Sequence, residues 1–163
     1  MGFSGKIARP DCAAFFANCC PKCPRCGRDH PFTFDEPPPV YHPWKMAGRK
    51  AVFEYAQSLA DELREWLLVF FVDEELNLLA AETVARGAIS EVTIDAPGIL
   101  WCGRKLGAAG LILVHNHPSG DSTPSRSDIE VTKRIARISQ DMEIPLLDHF
   151  VIAKGGMQSV GFW

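Results

Sequence analysis

The sequence predicts an α/β or α+β sandwich built on a mixed β-sheet, preceded by an irregular Cys/Pro-rich arm. Two observations carry the prediction. Apolar runs of strand length alternate with segments of helical period, and strand pairs with turn-rich connections stand at both ends of that pattern. A third, that residues 1–46 share neither period, sets the arm apart from a regular domain over residues 47–163.

Taken in order, the arm is dense in proline, with a run at Pro37-Pro38-Pro39 that favours a stiff, extended spacer and predicts poor order. It also holds five of the six cysteines: Cys12, Cys19, Cys20, Cys23 and Cys26. The run Cys20-Pro-Lys-Cys23-Pro-Arg-Cys26-Gly resembles a metal knuckle, with Cys19, Cys12 or His30 as a fourth ligand. A second cysteine pair at a distance, which a zinc ribbon needs, is missing, and a simple Cys-bearing tail fits the same residues. Met46 opens the regular pattern with MAGRKAVFEYA and is a candidate translation start.

From Ala47 to Arg64, Val52, Tyr55, Ala56, Leu59 and Leu63 recur at helical spacing. Glu65 to Val72 is then almost continuously apolar, the mark of a strand buried on both faces. Asp73 to Asn77 is a turn, Leu78 to Val84 a returning strand broken by Arg86-Gly87, and Ala88 to Ile94 a further strand. Asp95 caps a helix with Pro97 in its first turn, running to about Leu106 and ended by Gly107. Cys102 within it reads as a small buried hydrophobe. Leu111 to His115 is a buried strand. A helix follows from Arg126 to about Met142, with Ile129, Thr132, Ile135, Ala136 and Ile138 inward. Leu146 to Ala153 and Met157 to Phe162 close the chain as strands around Gly155-Gly156.

Composition excludes several classes. No apolar run reaches the roughly 20 residues of a membrane helix, and MGFSGKIARPD lacks the plan of a secretory signal, so the expected location is the cytoplasm. Net charge is -3, and residues 47–163 carry eleven Lys/Arg against sixteen Asp/Glu. That balance gives no bulk electrostatic footprint for nucleic acid, although Lys133, Arg134 and Arg137 lie close on one helix.

The chemistry gathers in His115-Asn-His-Pro-Ser-Gly-Asp-Ser-Thr-Pro-Ser-Arg-Ser-Asp128. Residues two apart on a strand share a face, so His115 and His117 point the same way and Asn116 points away. Pro118, Ser119 and Gly120 turn the chain, and Asp128 returns in the first turn of the next helix. Two imidazoles and a carboxylate form a three-ligand zinc set that leaves a position for water, which the metal makes nucleophilic near neutral pH. A base must stand beside the metal without binding it. Glu65, opening the first buried strand, is the candidate, since a carboxylate there is costly unless paired or used. A helix-end surface charge is the plainer alternative. Ser125 is placed to donate to developing oxyanion charge. Ser125-x-x-Asp128 also reads as a capping box, and both roles are compatible. His149 follows Asp148 and reads either as a support to the ligands or as a structural Asp–His pair.

His115-x-His117, seven residues, Ser125, two residues and Asp128 resemble the JAMM motif of the JAB/MPN metalloprotease superfamily. HNHPSGDSTPS together with LLDHFVIA at 146–153 is similar to the RadC family within it, over about Ala47 to Trp163. The resemblance implies a JAMM/MPN-like (cytidine-deaminase-like) fold, a curved mixed sheet flanked by helices. It implies His115, His117 and Asp128 as ligands of one catalytic zinc, Glu65 as general acid/base, and Ser125 as stabiliser of the tetrahedral intermediate. The helix-hairpin-helix region usual in RadC proteins has no counterpart in the arm, and the family's frequent His-Pro-Arg is Ala96-Pro97-Gly98. Two functions follow: a zinc-dependent peptidase or isopeptidase acting on a peptide or protein, or a non-catalytic accessory protein in DNA repair, recombination or mobile-element biology.

Overall fold

The computed structural model describes residues 44–87 and 94–161. The cysteine run at Cys20, Cys23 and Cys26, and the strand expected over 88–93, lie outside the described residues.

Helix α1 (Arg49–Ala56) continues as a 3₁₀ turn, Gln57–Asp61. Strands β1 (Trp66–Val72) and β2 (Leu78–Arg86) form a hairpin. Helix α2 (Ala96–Lys105) leads to β3 (Gly110–Asn116), and helix α3 (Arg126–Asp141) crosses to β4 (Leu146–Ala153). Strand β5 (Gly156–Ser159) folds back on β4. The sheet order is β2-β1-β3-β4-β5, antiparallel except where β3 runs parallel to β4. That parallel pair is the one whose connection needs a helical crossover, and α3 supplies it.

The central strands are apolar on both faces because both faces are covered. Towards α1, Leu68, Phe70, Val72, Ile112, Val114, Phe150 and Ile152 pack with Val52, Ala56 and Leu59 in one cluster. The opposite face takes α2 and α3. Gly103 of α2 lies so close that an added Cβ would stand 3.0 Å from a Phe71 ring carbon, and Thr132 of α3 bonds to His149 of β4. Gly110 is similarly required at the start of β3, where a Cβ would meet Leu147 at 2.8 Å.

Three local expectations shift. The first helix ends before Glu62 instead of running to Arg64, and Leu63 is 91% exposed rather than inward. The cause is Asn116, whose amide donates to the carbonyls of Glu62 and Arg64 and draws that stretch out of helical geometry. On α3 the fully buried positions are Asp128, Thr132, Ile135 and Ser139, so Ser139 replaces Ile138 on the inner line. Its hydroxyl accepts from Leu146 N and donates to Ala136 O, which lets a polar residue sit there. The residues before Ala47 also join the sheet's edge: Lys45 bridges Asn77, and Met46 is 1% exposed. Cys102 is buried, as its apolar reading requires.

Burial on this scale makes the central strands sensitive and the outer turn tolerant. Phe70→Ala should cost about 3–5 kcal/mol, while Leu63→Ala should stay within about 0.5 kcal/mol. Urea denaturation distinguishes them, and equal losses would contradict the packing described.

Candidate metal centre

Strand β3 runs on without a break into the site. His117 N donates to Ile152 O, so the ladder with β4 extends one residue past Asn116 and keeps the alternation of faces. His115 and His117 therefore share a face, and their Nε2 atoms lie 3.0 Å apart. Asn116 turns to the other face. Gly120 N closes a turn on His117 O, with Gly120 at φ 88°, and the chain then enters α3.

Ser125 is the N-cap of α3, and the capping box is complete. Its Oγ accepts from Asp128 N at 3.2 Å, while Asp128 Oδ2 accepts from Ser125 N at 2.7 Å. The cap fixes the Asp128 carboxylate against the two rings. His115 Nε2 stands 3.2 Å from Oδ1, and His117 Nε2 stands 3.3 Å from Oδ2. Ligand atoms about 2.0–2.1 Å from a tetrahedral zinc are separated by about 3.3–3.4 Å. Here the ring nitrogens are 3.0 Å apart and each faces a different carboxylate oxygen, at 3.2 and 3.3 Å, so one donor atom from each residue lies within 4.8 Å of the others. This group can hold a metal ion. His117 Nδ1 donates to Asp121 O at 2.9 Å, which leaves its Nε2 unprotonated for a cation.

The electrostatics follow from burial. His115 and His149 are 0% exposed and Asp128 2%. Burial opposes ionisation of Asp128, but the hydrogen bond and charge of His115 and the donors of Ser125 outweigh it and hold the carboxyl well below its usual range. Burial, reinforced by the neighbouring charge of His115, holds His149 well below the ordinary imidazole value and therefore neutral.

Among the sequence candidates, His115, His117, Asp128 and Ser125 are brought together. Glu65 immediately precedes β1, two residues before Leu67, which pairs with His115 in the antiparallel β1–β3 ladder. Asn116 secures that end of β1: its Oδ1 accepts from Trp66 N at 2.8 Å while its amide holds Glu62 and Arg64. The Arg86 guanidinium stacks 4.2 Å over the Trp66 ring, and Gly87 N donates to Glu65 O. Nothing in the sequence singles out Asn116, whose role arises from a partner segment some fifty residues away.

The Asp148–His149 side-chain pair expected as one reading is not formed. Strand neighbours point to opposite faces, so Asp148 accepts from Ser159 Oγ and from the His149 backbone. The His149 ring instead reaches His115 Nδ1 at 2.8 Å and Thr132 Oγ1 at 2.6 Å. Alternation along LLDHFVIA was the available signal for this.

Fold and site together define a mixed α/β domain with a His-x-His/Asp metal-competent centre. The family model described as the RadC-like JAB domain matches residues 46–161, and the chain belongs to that family. It is 45% identical over 92 residues to a UPF0758 protein of Actinobacillus succinogenes, covering 56% of this chain and 42% of that protein. It is 41% identical over 102 residues to a UPF0758 protein of Histophilus somni, covering 62% and 46% respectively. The chain thus spans less than half the length of these relatives. Among the described residues, no helix is long and apolar enough to cross a membrane.

A depressed histidine gives the metal-free protein an acid-side weakness. The unfolded chain takes up a proton at His149 near pH 6.5, whereas the folded one resists it. Stability is therefore undiminished by this group above about pH 6.5 and falls below it, by up to about 1.4 kcal/mol per pH unit. Denaturation of metal-free protein between pH 7.5 and 5.5 should show this slope, reduced in His149→Gln. A flat profile for the unsubstituted protein would contradict it.

Proposed function

We propose that the domain is a zinc-dependent hydrolase of peptide or isopeptide bonds. The observation that carries this reading is the convergence of His115 Nε2, His117 Nε2 and the Asp128 carboxylate on one another. Nitrogen and oxygen donors without sulfur, three in number, are the donor set of a zinc site that keeps a position open. A bound zinc ion would supply Lewis acidity, which polarises a carbonyl and makes water nucleophilic near neutral pH.

The chain's own residues have separate tasks in this reading. Glu65 takes a proton from the attacking water and delivers it to the leaving nitrogen. Its place just before β1, the strand that pairs with the histidine strand, supports the assignment. Ser125 Oγ uses a lone pair to cap Asp128 N, which leaves its O–H proton as a donor. That donor would turn to the developing negative charge on the carbonyl oxygen. The capping and catalytic roles draw on different parts of one hydroxyl. The acidic balance of residues 47–163 supports a peptide or protein partner over nucleic acid.

Metal analysis of the purified chain tests the centre, with one tightly held zinc expected and its loss in His117→Ala. Glu65→Gln should keep the zinc and lower hydrolysis of peptide and isopeptide fluorogenic substrates by about 10²–10⁴-fold. A Glu65→Gln protein as active as the parent would remove Glu65 from the mechanism. Absence of zinc from the parent would remove the hydrolytic reading itself and leave the accessory one.

A further inference from the structure

Four polar groups from three elements form a closed circuit behind the ligands. Thr132 Oγ1, on α3, lies 2.5 Å from the backbone carbonyl of Asp128, one helical turn earlier. The same Oγ1 lies 2.6 Å from His149 Nδ1 on β4. His149 Nε2 lies 2.8 Å from His115 Nδ1 on β3. His115 Nε2 then returns to the carboxylate of Asp128 at 3.2 Å. His115, Thr132 and His149 are all 0% exposed, so bulk water does not exchange into the chain of bonds.

We propose that Thr132 and His149 are positioning residues that fix the tautomer and orientation of His115, so that its Nε2 lone pair always faces the metal position. This rests on the metal-centre reading above. The available protons set the direction of each bond. The Asp128 carbonyl only accepts, so the single Thr132 hydroxyl proton is committed to it. Thr132 Oγ1 can then only accept from His149, which puts the His149 proton on Nδ1. A neutral His149 with its proton on Nδ1 has a bare Nε2, and that atom accepts from His115 Nδ1–H. With a cation in place, His115 Nε2 is left without a proton, the cation replacing the hydrogen bond that this atom gives Asp128 in the metal-free site. Reversing every bond would place a proton on His115 Nε2, where it competes with a cation. The Asp128 carbonyl disfavours that reversal because it would lose its side-chain donor. His117 reaches the same state in one step through the Asp121 carbonyl. His115 sits too deep for a loop carbonyl to reach, and the relay carries the same instruction from the helix.

The circuit also explains why one residue can serve at two points. Asp128 offers its carboxylate to the rings and its backbone carbonyl to Thr132. The first turn of α3 is thereby tied to β3 and β4 at the position where the cation is held.

The test compares zinc affinity, by competition with a chromophoric chelator, among the parent protein, Thr132→Val and Thr132→Ser. Valine keeps the shape and removes the hydroxyl, and should weaken zinc binding about 10–100-fold. Serine restores the hydroxyl and should return affinity to within a few-fold of the parent. In parallel, long-range nitrogen-15 NMR of the zinc-loaded parent should show His149 as the Nδ1–H tautomer. That spectrum decides the question even if the valine variant fails to fold. Unchanged affinity in Thr132→Val, failure of serine to rescue, or an Nε2–H His149 would each overturn the relay while leaving the zinc site standing. A parent that binds no zinc overturns the metal centre and the relay together.

Discussion

The antiparallel pairing of β1 with β3 is the constraint on which the rest depends. It sets Leu67 opposite His115, and because strand side chains alternate, it decides at once which residues face α1 and which face α2 and α3. A slip of one residue would drive Leu67, Val69 and Phe71 to the wrong side of the sheet. Asn116 guards the register at the open end of the pair. It is 0% exposed and spends its side chain on the backbone of residues 62, 64 and 66, so its burial is affordable only in this alignment.

That constraint places polar groups where an apolar core would otherwise continue. His115, Asp128, Thr132 and His149 are all buried, on the face that α3 covers. Each has partners, and the partners belong to different elements. A buried polar network of this kind holds one geometry, because any rearrangement strands a donor or acceptor in a region without water. The candidate metal centre is thus held by contacts of the fold: the helix cap bonds to Asp128, the Asp121 carbonyl to the His117 ring, and the Thr132–His149 pair to the His115 ring.

Much of this was legible in the sequence. The strands beginning near Glu65 and Leu111 are announced by apolar runs, and α3 by its period and its Ser125 cap. His115, His117 and Asp128 are announced by two-residue spacing followed by a forced turn. What the sequence hid has a common physical origin in contacts between distant segments. The early end of the first helix depends on Asn116, over fifty residues away. The Ser139 position depends on the backbone of Leu146, and the role of Thr132 depends on β4. Adjacency in sequence points His149 towards Asp148, whereas alternation along the strand turns the two side chains apart. Helical period places Thr132 inward but says nothing about what its hydroxyl meets.

The proposed function stands or falls on a metal held by two imidazoles and a carboxylate at the end of β3. X-ray absorption fine structure on the chain loaded with one equivalent of zinc tests it most directly, since the scattering separates nitrogen and oxygen from sulfur. A shell of nitrogen and oxygen at about 2.0–2.1 Å with two imidazole signatures and no sulfur is expected. A sulfur shell at about 2.3 Å at that loading would place the metal on cysteine and contradict it.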